Sequence, residues 1–147
     1  MSRDQSQVAQ DSATLQQLLS VKERRRDRAH RELVEVKERQ RHAQLQYDQQ
    51  EGELSAMLAH HAGRIAELRA TISRQPATGA SHVALRSQED LFRQEQGRKE
   101  EQVRAAAAAL NHAQEATATA SAAFLEQVRA VEKVKELRRA TCGRKAS

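Results

Sequence analysis

Three groups of residues in this 147-residue chain have the types and spacing for chemistry. The first is six histidines, among them the neighbours His60 and His61, with Glu38 standing four residues before His42. Imidazole and carboxylate groups hold a metal when they converge, and on a helix that requires ligands at i and i+4. Adjacent residues point roughly 100° apart on a helix. His60 and His61 therefore diverge, no two histidines stand four apart, and Glu38 with His42 makes only two ligands. The histidines read as exposed polar helix surface, and no metal site is expected.

The second group is Ser, His and Asp as a nucleophilic set. No nucleophile elbow, Gly-rich phosphate loop or paired-carboxylate context accompanies them. No catalytic or cofactor-binding residue is expected, and the chain reads as a non-enzyme. Cys142 is the single cysteine, which excludes a disulfide framework and a Cys-based zinc site; it reads as an unremarkable exposed thiol.

The third group is positive charge. The segment Lys22-Glu23-Arg24-Arg25-Arg26-Asp27-Arg28-Ala29-His30-Arg31 holds six cations against two acids, and Arg129–Lys145 holds seven against two. The whole chain is only +5, so these two segments, at +4 and +5, leave the remainder at −4. Such runs bind polyanions, acidic proteins or simply water. Lys22 and Arg26 fall on the helical stripe traced below, so this helix is not free to enter a major groove. Nor do aromatics interleave for stacking on single strands. No nucleic-acid partner is expected; a basic end meeting an acidic or ring-shaped protein is.

The elements that must position these residues are helices. Five Gly and one Pro are too few for a turn-rich sheet, and aromatics at 2% are too few for a thick globular core. Abundant Ala, Leu, Glu, Gln and Arg is the composition of long helices. No stretch approaches ~18 consecutive apolar residues, and no charged-then-apolar leader opens the chain. A cytoplasmic location without membrane insertion is the expectation.

Residues 1–12 are polar and aperiodic, and the expectation for them is a disordered polar arm, with Ser12 or Thr14 capping the helix that follows. From Leu15 a three-four spacing runs through Leu19, Lys22, Arg26, Ala29, Leu33, Val36, Gln40, Ala43, Tyr47, Gln50, Leu54, Met57 and His61. After one extra residue it continues as Ile65, Leu68 and Ile72. A seven-residue repeat with one such discontinuity is a coiled-coil seam. Pro76 and Gly79 stop the first helix near Arg74. The stripe resumes at Leu85 and passes Glu89, Phe92, Gln96, Lys99, Val103, Ala106, Leu110, Ala113, Thr117, Ala120, Phe124, Gln127, Val131, Val134 and Arg138 to Thr141. The spacing predicts an all-α fold of two long helices in an antiparallel coiled-coil hairpin. The hairpin is read as one domain over 13–147: helix 13–74, turn 75–81 with Ser81 as N-cap, and helix 82–142. Partners across it should have numbers that sum to roughly 156, placing Leu33 opposite Phe124 and Ile72 opposite Leu85. In that fold the two basic segments meet at the end that holds both termini.

Lys22, Arg26, Gln40, Gln50, His61, Glu89, Gln96, Lys99, Gln127 and Arg138 put amide, imidazole or charged groups on the stripe, and many of its apolar positions are Ala, so the seam is expected to be weak and the rod marginally stable. Two helices in contact enclose no water-excluding pocket.

Two strings carry a resemblance. The first helix opens with Leu15-Gln16-Gln17-Leu18-Leu19-Ser20-Val21-Lys22-Glu23-Arg24-Arg25, and the second closes with Val131-Glu132-Lys133-Val134-Lys135-Glu136-Leu137-Arg138-Arg139. The layout and these strings resemble the YscO/FliJ family of type III secretion, the injectisome and flagellar central-stalk proteins. The opening Leu-Leu-x-Val-Lys string favours the injectisome branch. The resemblance implies a stalk whose terminal end enters the hexameric secretion ATPase. Its hairpin end would reach the cytoplasmic domain of the export-gate membrane protein, and export chaperones are further implied partners. It places the protein in the cytoplasm, associated with the inner-membrane secretion apparatus. The ATPase-facing residues would be Lys22, Arg24, Arg25, Arg28, Arg31, Lys133, Lys135, Arg138 and Arg139. The gate-facing residues would be Arg64, Arg69 and Arg93. A generic coiled-coil adaptor, an export chaperone or a secreted helical protein fits the same residues as a second class.

Overall fold

The computed structural model describes residues 2–74 and 79–146, with side chains for 4–74 and 79–143. Every described residue is α-helical: α1 spans Ser2–Arg74 and α2 spans Gly79–Ala146, packed against each other as an antiparallel helical hairpin without strands. The seam is the predicted stripe. Each stripe residue of α1 from Leu15 to Ile72 is buried or half-buried, and so is each named residue of α2 from Leu85 to Thr141, except Arg138, which is exposed. A long guanidinium at a seam position near a helix end reaches water by turning outward, its stem covering apolar surface. The extra residue after His61 is accommodated with burial passing directly to Ile65 and Leu68.

The helix ends correct the sequence reading. Residues 2–12 are helix, not a disordered arm. Nothing in Ser2–Ser12 breaks a helix: there is no Gly or Pro, and Asp4 sits in the first turn, where a negative charge complements the helix dipole. Thr14 is no N-cap; its hydroxyl donates back to the Gln10 carbonyl at 2.9 Å, the bond a mid-helix threonine makes. Gly79, Ala80 and Ser81 belong to α2 rather than to the turn, so Ser81 is inside the helix; the rest of the expected turn, 75–78, lies outside the described residues. Gly143 does not end α2, which continues to Ala146. A helical glycine costs only about 1 kcal/mol against alanine.

Contacts gather into two compact units, where the sequence reading treated 13–147 as one body: unit 1 comprises Met1–Gln40 with Ala113–Ser147, and unit 2 comprises Arg41–His112. In paired helices each layer touches only its neighbours, so compactness is local. Unit 1 holds Leu19, Ala29, Leu33, Val131 and Val134 as its buried apolar residues; Leu19, Val131 and Val134 form one cluster, with Val131 only 1% exposed. His30 lies against Phe124, ring centroids 5.3 Å apart, and the Thr117 hydroxyl donates both to Ala113 of its own helix and, at 3.4 Å, to the Val36 carbonyl of α1.

Among its described residues, unit 2 holds only Phe92 and Leu110 as buried apolar residues, together with His61. Its helices are joined by polar pairs instead: Arg69 with Glu89 at 3.2 Å, His61 with Glu95 at 3.0 Å, and Lys99 with Glu53. Partner numbers in both units sum to within a few residues of 156, as the hairpin requires. Gln50 in unit 2 and Gln127 in unit 1 each bury a side-chain carbonyl oxygen that has no hydrogen-bond partner. Each such orphan costs about 1–3 kcal/mol. Among the described residues the buried apolar groups are few, so the seam is thin in both units.

Candidate partner-binding surface

Charge divides between the units. Unit 1 contains 16 Lys and Arg against 11 Asp and Glu, net +5; unit 2 contains 9 against 9, net zero. The whole formal charge of the chain therefore belongs to unit 1.

Which of those cations are available depends on their neighbours. Of the predicted ATPase-facing set, all nine residues lie in unit 1. Arg28 is held by Glu32 at 3.8 Å and Lys135 by Glu132 at 3.7 Å. Both pairs are exposed or half-exposed and contribute little, about 0.3–0.5 kcal/mol at helical spacing. Among the described residues, no acid stands within ion-pair distance of Lys22, Arg24, Arg25, Arg31, Lys133, Arg138 or Arg139. Arg129, in the same unit, is equally unpaired. Seven of the nine expected contacts thus present charge that no acid among the described residues pairs with.

The predicted gate-facing set is different. Arg64 pairs with Glu67 at 3.1 Å, Arg69 with Glu89 at 3.2 Å and Arg93 with Asp90 at 3.6 Å, all in unit 2. Each guanidinium already has a carboxylate of its own, so recruiting an external acid means exchanging one partner for another.

Two open grooves flank the seam of unit 1. One is lined by Leu19, Glu23, Lys135, Arg138, Arg139 and Cys142. The other is lined by Lys22, Glu126, Arg129, Ala130, Lys133 and Val134. Each sets three cations against one carboxylate over an apolar floor from the seam. Cys142 is exposed, as expected.

The residue that sequence reasoning misplaced is His61. It is buried at 5% exposure, whereas the other five histidines are exposed. Its ring stacks on Phe92 with centroids 3.9 Å apart and planes 10° from parallel. Nε2 meets the Glu95 carboxylate at 3.0 Å, and the Gln96 amide nitrogen meets Nδ1 at 3.2 Å. A carboxylate only accepts, so the proton of this contact sits on Nε2, which donates to Glu95. The signal was present: His61 occupies the stripe, and a stripe position outweighs residue type.

The Lys99 side chain is 12% exposed, and its ammonium donates to Glu53 and also to Gln102 at 3.2 Å. The hydrogen bond from Lys99, one from Gln49, and the Lys99 charge hold the Glu53 carboxyl below the usual glutamate value. Among the described residues no three His, Cys, Asp or Glu are placed to hold a metal, and no helix is long and apolar enough to cross a membrane.

The class these observations define is a two-helix protein whose recognisable surface is charge on one unit. Compared with known proteins, the chain matches no family model, no curated protein and no solved structure.

Proposed function

We propose that this chain is the non-enzymatic stalk and coupling protein of a type III protein secretion system. It would link the hexameric secretion ATPase to the cytoplasmic domain of the export gate, with export chaperones as further clients. One observation carries the reading. The two strings that resemble the YscO/FliJ family, Leu15–Arg25 and Val131–Arg139, are more than a hundred residues apart in sequence, yet both lie in unit 1. They supply its buried cluster, Leu19 with Val131 and Val134, and most of its unpaired cations. A motif pair that builds one core and one charged surface is a unit of recognition.

Physical economy supports the rest. Cations that no internal acid satisfies steer an acidic partner and orient it without locking it. A weak seam suits a protein that is completed by its partner. Location at the inner-membrane apparatus in the cytoplasm belongs to the same proposal, and the opening Leu18-Leu19-Ser20-Val21-Lys22 string favours the injectisome branch.

The experiment is thermal unfolding of the chain with and without purified secretion ATPase. A partner that binds only the folded form raises the melting temperature with its concentration. The rise should shrink between low and high salt, because screening weakens exposed charge pairs. A melting temperature unmoved by the ATPase at low salt contradicts the proposal and favours a generic coiled-coil adaptor.

A further inference from the structure

The two grooves of unit 1 are alike in charge but not in their surroundings. Leu18 precedes Lys22 by four residues and Leu137 follows Lys133 by four, so each lies beside the groove lined by Lys22, Arg129 and Lys133. Val21 follows Leu18 by three and extends the same surface. Leu18 is 40% exposed, Val21 41% and Leu137 56%. Half-exposed large apolar side chains beside unpaired cations mark an interaction site. On the opposite flank, no exposed large apolar residue stands three or four positions from any lining residue of the groove that contains Arg138 and Arg139.

We infer that unit 1 binds its partner on one flank only, and that the occupant is an acidic amphipathic helix. The groove runs between two helices, so a third helix is the shape that fills it, with its apolar row seated on Leu18, Val21 and Leu137. Glutamates and aspartates beside that row meet Lys22, Arg129 and Lys133. Glu126, the one carboxylate in the groove, sets the register by repelling an acid placed opposite it. The opposite flank offers no apolar row for a second helix of this kind. This inference rests on the reading of unit 1 as the ATPase-facing part, and it adds which side of that unit is covered and by what.

The probe is a synthetic helical peptide with leucines at i and i+4 and glutamates elsewhere, titrated into the full chain with methyl-labelled Leu and Val. The Leu18, Val21 and Leu137 methyls should shift, while Leu58 and Val83 should not. The double variant Arg129→Glu/Lys133→Glu should weaken peptide binding by about tenfold or more. Arg138→Glu/Arg139→Glu should leave it within about twofold, since rim charges outside a contact matter little. No binding, shifts that avoid the three methyls, or equal loss from both double variants overturns the inference. The same two variants tested against the ATPase separate the two claims. ATPase that binds wild type and Arg129→Glu/Lys133→Glu equally overturns the one-sided surface and spares the functional reading. ATPase that binds no form, while the peptide shifts the three methyls, overturns the functional reading and spares the surface.

Discussion

Replacing Val131 with alanine tests where unit 1 gets its stability. Val131 is 1% exposed and packs with Leu19 and Val134, each 5% exposed, in a cluster of buried apolar residues. The change removes two buried carbons, about 1.6 kcal/mol at ~0.8 kcal/mol per buried methylene. A residual cavity adds to the loss, because two long helices close around a small void only partly. Alanine returns up to about 0.6 kcal/mol through helix propensity, since β-branched valine is the poorer helix former. The net destabilisation should be about 1.5–2 kcal/mol, a large share of a marginal total. Urea denaturation followed by far-ultraviolet circular dichroism measures it, with Leu125→Ala as control, because Leu125 is 51% exposed and should cost less than about 0.5 kcal/mol. A Val131→Ala loss no larger than that of Leu125→Ala would refute the assignment of the core to this cluster.

Three further outcomes follow from particular contacts. Gly52 and Gly97 sit in helix interiors, with nothing within 4 Å of an added Cβ, so Gly52→Ala and Gly97→Ala should each stabilise by up to about 1 kcal/mol, measured by the same denaturation; a loss would mean the helix is strained there. The Glu53 carboxyl titrates below its ordinary value of 4.5, so its pairing with Lys99 persists above that value and is lost as pH falls through the lowered one; carboxyl NMR should show Lys99→Met returning Glu53 to the ordinary range. Spin labels at Leu33 and Phe124 should lie within about 15 Å of each other in one chain, from an interaxial distance of ~8–10 Å plus label reach; a separation of several tens of ångströms would remove the hairpin.

The fold was legible because a two-helix seam has one rule, the three-four spacing, and nearly every residue that obeys it is buried or half-buried. Polar stripe members obeyed it too: Gln40, Gln50, Gln96 and Lys99 all sit in the seam. Legibility failed where residue type was allowed to overrule position. His61 was grouped with surface histidines, although only its place on the stripe predicts the stack on Phe92 and the bonds to Glu95 and Gln96. The helix ends were misread for the converse reason. Polar, aperiodic Ser2–Ser12 has no seam to occupy, but helix continues wherever nothing interrupts it. Of the candidate surface, the clustering of charge was visible in the run of arginines. Which cations remain unpaired was not, because that depends on where each neighbouring carboxylate turns: Arg64, Arg69 and Arg93 carry the same guanidinium as Arg24 and Arg25, yet each is matched by an acid.

The central claim is that the unpaired cations of unit 1 couple this chain to a secretion ATPase. Steady-state ATP turnover by the purified ATPase, with added wild-type chain or with either of two charge-reversed sets, tests it most directly. One set reverses Arg24, Arg25, Arg129 and Lys133 to Glu, in unit 1; the other reverses Arg64, Arg69 and Arg93, in unit 2. The account predicts that wild type raises turnover, that the unit 1 set abolishes the rise with helix content unchanged, and that the unit 2 set retains it. No stimulation by wild type, or equal loss from both sets, contradicts it.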